Sequence, residues 1–486
     1  MLYFFTEISK YLIIAVMFLY VFECILYECV GENYVRFKGI YIRQRVYLFF
    51  LQFFAYGTLC LKTGKLDYAF LAFFTYVVMF ALLVVTAMLY PRVDKVLLNN
   101  MALLLSTGFI ILSRLDFSRA IKQFAIVTVS MAIGMSIPGF LKRVKGLTHF
   151  GYIYAAVGII PLLIVLLLGA ATNGSKLSYT IGGITIQPSE LVKIVFIFCI
   201  AALLSRAKTF LDIVVVTMIA ACHVIILVLS KDLGSGLIFF VAYLFMLLVA
   251  TRNYILFALG WAVGGVGAVF AYKVFRHVQV RVQAFKDPFS VIDNQGYQIT
   301  QSLFAVGSGS FFGTGLNKGT PGDIPFVWSD FIFSAVSEEM GAIYAVCMLL
   351  VCLSCFMIML NTSMKADKKF QRLLAFGFGV MYIFQVFLTV GGGIKFIPLT
   401  GVTLPFVSYG GSSVLSSVIV FFVVQWVIIT YRDKEAEELE EERKRIRAER
   451  RNGQYRNNRY ADDYADYEEG EYYEDDEYYE EGDYEE

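Results

Sequence analysis

Long apolar runs separated by short polar segments fill the chain up to about residue 431. A helix needs about 20 predominantly apolar residues to cross a hydrocarbon core about 30 Å thick. On this basis the pattern predicts roughly thirteen membrane-spanning helices, near residues 4–28, 45–62, 66–90, 98–113, 122–142, 151–171, 189–206, 210–229, 235–250, 253–275, 329–360, 371–394 and 412–431. The first run is too long for a signal peptide and lacks a small-residue cleavage pattern.

The composition also indicates a membrane protein. Hydrophobic residues make up 58% of the 486 residues, charged residues only 17%, and the mean hydropathy is +0.66. Soluble domains contain about 45–50% apolar and about 25% charged residues. The predicted fold class is therefore an all-α polytopic membrane protein. The formal net charge of +1 averages over different regions and indicates nothing about partners.

Lysine and arginine in the short loops set the predicted orientation, because cytoplasmic loops carry an excess of these residues. The predicted spans place the basic segments 36–45, 142–145, 206–208 and 365–372 on one face, together with the C-terminus. We expect this face to be cytoplasmic and the N-terminus to lie outside. The segment Arg114–Lys122 is an exception, since it falls on the outer face.

Cysteine and histidine offer little chemistry. The eight cysteines nearly all fall inside apolar spans, and Cys352 and Cys355 have CxxC spacing without a second pair. They are interpreted as small buried residues. Three histidines in unrelated segments argue against a histidine metal site or a Ser-His-Asp triad. Carboxylates, amines and the backbone must therefore supply the chemistry.

The C-terminal residues 432–486 form a separate region. Residues 432–451 alternate acidic and basic blocks and could form a solvated helix. From about residue 460 the chain is a Tyr/Asp/Glu repeat that cannot pack, so it is predicted to be disordered. The tail either only solvates this end of the protein or recruits a basic cytoplasmic partner.

Ionisable residues at or inside the membrane are costly, so each is a functional hypothesis. Glu190 and Lys193 lie three residues apart at the start of a span and could pair. The pair is either a salt link within one helix or a charged wall of a cavity between helices. Asp232 lies in a tight turn, where it either caps the next helix or lines the same cavity.

The segment 276–328 is long for a protein with otherwise short loops, and such loops are more often functional than not. Arg281 and Lys286 bring positive charge, and Gln298 follows. The glycine-rich stretch 307–315 is either a plain flexible loop or a nest of backbone amides that holds an anion.

Asp330 is a carboxylate at the outer mouth of an apolar span. Either Ser329 or Asp330 caps this helix, or Asp330 is a reactive group. Capping of the helix would not account for the two further carboxylates, Glu338 and Glu339, deeper in the same span. A carboxylate in a partly apolar mouth is expected to have a raised pKa and to suit proton abstraction.

The segment 400–413 combines proline, paired glycines and hydroxyl groups, including Ser408 and Tyr409, and Lys395 precedes it. This composition predicts a broken or re-entrant segment. At membrane depth such a backbone survives only where it lines a cavity or is buried in protein.

Together these clusters resemble the SEDS family, the RodA, FtsW and SpoVE group, over roughly residues 98–431. QPSELVK and KDLGSG are similar to two family motifs, and so are RVQAFKDPFS with GYQITQS, GSGSFFGTGLNKG, SDFIFSAVSEEMG and TLPFVSYGGSS. The resemblance implies a SEDS-type helical bundle of about ten spans, preceded here by about three extra spans in residues 1–97. The family explains neither these extra spans nor the tail from residue 432.

The resemblance implies a peptidoglycan glycosyltransferase that polymerises lipid II at the outer face of the cytoplasmic membrane. A class B penicillin-binding protein and other cell-wall synthesis proteins are the implied partners, with no nucleic acid. Asp330 is the implied catalytic residue, either as base on the 4-hydroxyl group of the acceptor sugar or as ligand of a divalent metal, Mg²⁺ or Mn²⁺. The candidate substrate-binding residues are Glu190, Lys193, Asp232, Arg281, Lys286, Gln298, Glu338, Glu339, Lys395, Ser408 and Tyr409. The polyprenyl tail of the substrate is expected to lie along a lipid-facing groove.

The chain departs from the family at three positions. Phe326 and Trp328 stand where members commonly carry a glutamate and a histidine, so Asp330 loses those neighbours. Thr400 stands where division-type members often carry lysine, which favours the elongation branch.

Two other functions stay open: transport of lipid II across the membrane, and an inactive scaffold. A transporter needs a polar path through both leaflets, whereas the polar clusters here gather on the outer side.

Overall fold

The computed structural model describes residues 2–30, 34–168, 170–172, 175–181, 184–293 and 296–451. The described residues form fifteen α-helices: α1 (Leu2–Val30), α2 (Tyr34–Thr63), α3 (Asp67–Leu89), α4 (Lys95–Leu115), α5 (Phe117–Arg143), α6 (Gly151–Leu168), α7 (Pro188–Arg206), α8 (Phe210–Leu229), α9 (Leu233–Thr251), α10 (Tyr254–Val274), α11 (Arg276–Lys286), α12 (Tyr297–Gly309), α13 (Ile332–Lys365), α14 (Lys369–Gly393) and α15 (Gly411–Arg451).

Thirteen of the described helices, all except α11 and α12, are long and apolar enough to cross a membrane. The predicted number of spans and the helical fold class are confirmed. The largest differences in length are at α2, which begins at Tyr34 rather than near residue 45, and at α15, which continues to Arg451. Both extensions are charged, and lysine, arginine and glutamate are good helix formers, so the helices continue beyond their apolar parts.

The two ends of the helical bundle can be distinguished by the contacts found at each. At one end, Lys10 Nζ donates a hydrogen bond to Gly313 O (2.9 Å), and Tyr409 N donates to Trp328 O (2.8 Å). Because the second contact lies next to Asp330, we call this end the Asp330 face. The polar clusters predicted within residues 1–431 lie at or near it.

At the other end, Asn361 Nδ2 donates to Glu28 Oε2 (3.0 Å), and the Tyr27 hydroxyl donates to Asp94 Oδ2 (2.5 Å). Helices α5, α7 and α13 end here, within the basic segments 142–145, 206–208 and 365–372. We call this end the basic face.

Helix α4 is buried along its length, since every residue from Val96 to Ser113 is buried. Helices α1–α3 cover it from one side. Tyr20 in α1 donates to Asn100 Oδ1 (3.0 Å), and Gln52 in α2 donates to Ser106 Oγ (2.6 Å). Such hydrogen bonds join helices in membranes, where the hydrophobic effect between them is absent.

Helix α13 is interrupted at Gly341, which has φ +90° and ψ 164°. The segment after α12 fills the interruption: Ala342 N donates to Ser310 O (2.9 Å), and Gly315 N donates to Glu339 O (2.9 Å). A Cβ atom at position 341 would lie 2.4 Å from the Gly313 amide nitrogen. Both the backbone angles and the lack of space therefore require glycine.

A small antiparallel sheet joins α6 to α7, with strands β1 (Ala170–Thr172), β2 (Ser175–Ile181) and β3 (Ile184–Ile186) in the order β1-β2-β3. No strand was predicted here from the sequence, although Leu177, Tyr179 and Ile181 alternate with polar residues along β2.

Residues 1–431 form one compact unit, and a second unit begins at Arg432. In the second unit the predicted solvated helix is found, with ion pairs four residues apart between Lys434 and Glu438 (3.2 Å) and between Glu440 and Lys444 (2.9 Å). The Tyr/Asp/Glu repeat lies outside the described residues.

Candidate active site

Asp330 ends a tight turn that precedes α13. The amides of Ser329 and Asp330 both donate to Phe326 O, at 3.0 and 3.2 Å. Phe331 occupies the N-cap position, and its side chain makes no capping hydrogen bond. The alternative that Ser329 or Asp330 caps the helix is therefore wrong, and the Asp330 carboxylate is available for another role.

The Asp330 carboxylate lies beside the Arg281 guanidinium. A Cβ atom built on Gly401 would lie 3.7 Å from Asp330 Oδ2 and 3.7 Å from Arg281 Nη2. Arg281 Nη1 also donates to Thr400 O (3.1 Å). Helix α11, the start of α13 and the segment after α14 thus meet at this point. Gly401 has φ +74°, so a side chain there would be strained and would crowd the pair.

Burial raises the pKa of Asp330 from 3.8 to about 6. A hydrogen bond from Ser329 and the positive charge of Arg281 lower it, but by less than burial raises it. The raised pKa predicted from the sequence is confirmed. The carboxyl group is still mostly ionised at neutral pH, yet it accepts a proton more readily than an exposed aspartate, which suits a general base.

Ser408 and Tyr409 hold the backbone of the turn before Asp330. Ser408 Oγ donates to Ser329 O (2.5 Å), and Tyr409 N donates to Trp328 O (2.8 Å). Residues 404–408 are buried and non-helical, as predicted for a broken segment that is enclosed by protein. The structure thus gives both residues a part in placing Asp330, while their contact with substrate stays a prediction.

Glu190 and Lys193 form a buried ion pair of 2.6 Å near the start of α7, which confirms their predicted pairing. Lys193 Nζ also donates to Gln385 Oε1 in α14 (2.9 Å), and Ser416 Oγ in α15 donates to Glu190 Oε2 (3.0 Å). A buried pair is stable only when further hydrogen bonds satisfy both groups. The pair therefore links three helices rather than one.

Asp232 caps α9 and also ties it to α7. Its Oδ1 accepts from Ser235 N (3.1 Å), and its Oδ2 accepts from Ser189 Oγ (2.9 Å). The charge of Asp232 also raises the pKa of Arg281, which burial lowers more strongly. Asp232 therefore acts electrostatically on Arg281 as well as capping a helix.

Three further predicted substrate residues lie on the same face. Lys286 is exposed in the last turn of α11, Gln298 is half-buried in the first turn of α12, and Lys395 is half-buried just after α14. The described part of the segment 276–328 consists largely of these two helices with tight turns.

The glutamates of α13 face the segment 313–320. Glu338 Oε1 accepts from Thr320 N (2.8 Å), and Glu339 Oε1 accepts from Arg114 Nε (2.8 Å). Arg114 Nη2 also donates to Gly319 O (2.9 Å). The structure thus places both carboxylates where they anchor this segment; their contact with substrate stays a prediction.

The glycine-rich stretch does not form an anion nest, which was one of the two alternatives left open by the sequence. Gly307 and Gly309 lie within α12. The amides of residues 313–315 donate to carbonyl oxygens of α12 and α13, at 2.8 to 2.9 Å. An anion nest needs amides that are free to point at the anion, and these are already bonded.

Arg119 is a residue of this site that sequence reasoning missed. Its guanidinium carbon lies 3.6 Å from the centroid of the Trp328 ring and 5.7 Å from that of Tyr409. Trp328, which departs from the family pattern, thus has a cation–π partner. The segment 114–122 could have indicated this residue, because its arginines lie on the predicted outer face, where an excess of positive charge is not expected. On the Asp330 face, Arg114 pairs with Glu339 and Arg119 stacks on Trp328. These protein partners explain why the two arginines lie on this face.

A family model described as cell cycle protein, covering FtsW, RodA and SpoVE, matches residues 95–432. The peptidoglycan glycosyltransferase RodA of Mycobacterium tuberculosis is 33% identical over 363 residues, which cover 69% of this chain and 77% of that protein. The probable peptidoglycan glycosyltransferase FtsW of Wigglesworthia glossinidia brevipalpis is 32% identical over 293 residues, which cover 56% and 74%.

Solved structures share the fold. A chain of a peptidoglycan synthase complex that coordinates polymerization and crosslinking has a TM-score of 0.59 at 24% identity, covering 70% of this chain and 98% of that one. The rod shape determining protein RodA of Thermus thermophilus has a TM-score of 0.51 at 22% identity, covering 70% and 97%.

Proposed function

The chain belongs to the FtsW, RodA and SpoVE family, and we propose that it is a peptidoglycan glycosyltransferase whose catalytic base is Asp330. The reaction joins the sugars of lipid II molecules into glycan strands and releases undecaprenyl diphosphate. One observation carries the assignment of the base: the Asp330 carboxylate, with a pKa of about 6, lies beside Arg281 where three segments meet.

Asp330 takes the proton of the acceptor sugar. As the 4-hydroxyl oxygen attacks the anomeric carbon of the donor, its proton passes to the Asp330 carboxylate. The bond from the anomeric carbon to the diphosphate breaks, and the electron pair leaves with the diphosphate. General-base assistance of this kind contributes about 10²–10⁴-fold to the rate.

Cations on the Asp330 face would stabilise the leaving diphosphate. Arg281 lies next to Asp330; Lys286 ends α11 and Lys395 follows α14 on the same face. Fixed positive groups that are aimed at developing negative charge stabilise the transition state without further reorganisation. Arg281 has a second effect, because its charge lowers the pKa of Asp330 and so favours the ionised carboxylate.

An apolar groove of about 280 Å³ between α13 and α14 is the proposed site of the polyprenyl tail. Ile394 and Phe396, on either side of Lys395, line its end, and Phe396 is exposed. Ser302 Oγ donates to Gly393 O (2.7 Å) and bonds to Ser334 Oγ in the first turn of α13 (2.6 Å). The end of the groove therefore lies near Asp330, as a tail joined to the diphosphate requires.

A divalent metal, Mg²⁺ or Mn²⁺, fits this site only together with the substrate. Among the described residues, no group of three His, Cys, Asp or Glu side chains is placed to hold a metal. Mg²⁺ is commonly bound by one or two carboxylates plus substrate phosphates. Asp330 would then be the protein ligand, and the metal would neutralise charge on the leaving diphosphate.

We place the Asp330 face outside the cytoplasmic membrane and the basic face in the cytoplasm, in keeping with the excess of lysine and arginine in cytoplasmic loops. The N-terminus is then outside. A class B penicillin-binding protein is the proposed partner, because the related synthase complex coordinates polymerization with crosslinking.

The test uses the purified chain with its penicillin-binding partner and fluorescent lipid II, with glycan ladders resolved on a gel. We expect ladders from the wild type and none from Asp330→Asn. Asp323→Asn is the matched control, since Asp323 is an exposed carboxylate on the same segment, and it should polymerise like the wild type.

Polymerisation by Asp330→Asn at the wild-type rate would show that Asp330 is not the base. If the wild type makes no ladders but carries labelled lipid II across vesicle membranes, the protein is a transporter. If it does neither, it is a scaffold.

A further inference from the structure

The three helices before residue 95 lie outside the family match, yet they are packed into the core of the protein. Helix α1 contacts both α2 and α13, and α2 and α3 contact α4. As a result α4, the first helix of the family core, is surrounded on all sides in this chain. The extra helices are therefore part of the folded unit that holds the active site.

On the Asp330 face, two lysines of the extra helices reach the segment after α12. Lys10 Nζ in α1 donates to Gly313 O (2.9 Å). Lys62 Nζ at the end of α2 donates to Leu316 O. Hydrogen bonds from an ammonium group are about twice as strong as neutral ones, so these two hold the segment more firmly than ordinary loop contacts.

The same segment makes two further contacts with α1. Glu7 forms an ion pair with Lys318. The Tyr11 ring packs edge-on against Phe312, with the ring centroids 5.6 Å apart. The segment 312–318 is thus held along its length by α1 and α2, and we call the four side chains Glu7, Lys10, Tyr11 and Lys62 the clamp.

The other side of this segment is bonded to the first piece of α13. Thr314 N donates to Glu338 O (2.8 Å), and Gly315 N donates to Glu339 O (2.9 Å). These bonds lie directly before the interruption at Gly341, where the α13 helix cannot bond to itself. The first piece of α13, residues 332–340, begins two residues after Asp330 and therefore depends on this segment for its position.

We propose that α1 and α2 form a built-in clamp that positions Asp330 for catalysis through the segment 312–318 and the first piece of α13. The proposal rests on the proposed function. Glu7, Lys10 and Lys62 are then positioning residues, because they act through the backbone and not on the substrate. A displacement of about 1 Å at a reacting group costs up to about 10²-fold in rate, so loss of the clamp is expected to lower kcat.

The test compares the Lys10→Met, Lys62→Met double variant with Lys65→Met in the full chain, assembled with its partner in lipid nanodiscs. Lys65 is exposed and follows α2 on the same face, so it is the matched control. We expect kcat for lipid II polymerisation to fall roughly tenfold or more in the double variant, with KM changed less than about twofold. Hydrogen exchange of residues 313–315 should become faster, and the control should match the wild type in all three measurements.

Exchanging the charges of Glu7 and Lys318 controls for an effect of misfolding. Glu7→Lys alone should lower kcat, and adding Lys318→Glu should restore it, because the ion pair forms again with reversed charges. Unchanged hydrogen exchange in the double variant overturns the clamp, and faster exchange with unchanged kcat overturns its role in positioning Asp330. If the wild type makes no glycan, the proposed function fails instead, while the exchange measurement still decides whether the clamp holds the segment.

Discussion

Replacing Asp330 with asparagine is expected to stabilise the protein at neutral pH while it abolishes catalysis. Burial raises the pKa of Asp330 from 3.8 to about 6, so the ionised form is less favourable in the folded than in the unfolded protein. Above pH 6 both states are ionised, and a shift of about two pKa units costs the wild type about 3 kcal/mol of stability. Below the unfolded pKa both states are protonated, and the cost disappears. Asparagine has a similar shape and carries no charge at either pH.

The assay is thermal unfolding of the wild type and Asp330→Asn in the same detergent at pH 7.5 and pH 4.5. At pH 7.5 the variant should be more stable by about 3 kcal/mol, which for a unit of this size raises Tm by about 3 °C. At pH 4.5 the advantage should shrink to about 1 kcal/mol. Asp323→Asn, an exposed carboxylate on the same segment, should change Tm at neither pH.

An Asp330→Asn variant that is no more stable than the wild type at pH 7.5 would refute the reasoning, because burial would then not disfavour the charge. An advantage of equal size at both pH values would also refute it, since the effect would not come from ionisation.

Three other substitutions test separate parts of the structure. Arg281→Gln removes the charge that lowers the pKa of Asp330, so the midpoint of the pH–rate profile should move to higher pH; an unchanged midpoint would argue against this electrostatic interaction. Lys193→Met leaves Glu190 buried without its partner and should cost about 3–5 kcal/mol in thermal unfolding, part of which Glu190→Gln should recover; a wild-type Tm would contradict this. Gly341→Ala forces a side chain into a positive φ and should cost more than about 1 kcal/mol; melting at the wild-type temperature would show that the interruption of α13 tolerates a side chain.

The membrane spans could be predicted from the sequence because hydropathy over about 20 residues is a local property. The interruption of α13 was not predicted, although Glu338 and Glu339 directly precede Gly341 in the sequence. Its cause is the backbone of Ser310 and Gly315, which enters from a distant part of the chain and takes over the hydrogen bonds.

The site could be predicted only in part, because some of its features are local in the sequence and others depend on distant residues. The raised pKa of Asp330 and the Glu190–Lys193 pair follow from local sequence and were confirmed. The partners of these groups come from other helices, as Gln385 does for Lys193, and no spacing in the sequence indicates them.

The glycine-rich stretch shows how a correct local feature can mislead. Glycines at residues 313 and 315 do adopt positive φ, as their residue type allows. Their amides bond to α12 and α13, however, so the flexibility serves close packing rather than anion binding. The role of Arg114 could not be predicted either, because its partner Glu339 lies far away in the sequence. The sequence indicated only a positive charge on the predicted outer face.

The pH dependence of lipid II polymerisation by the wild-type chain tests the central claim most directly. The quantity to measure is kcat/KM between pH 4.5 and 8.5, because it reports the ionisation of the free enzyme. With Asp330 as a base of pKa about 6, kcat/KM should rise about tenfold per pH unit below pH 6 and level off above it. A value that is flat across this range, or that falls as the pH rises through 6, would contradict the assignment of Asp330 as the base.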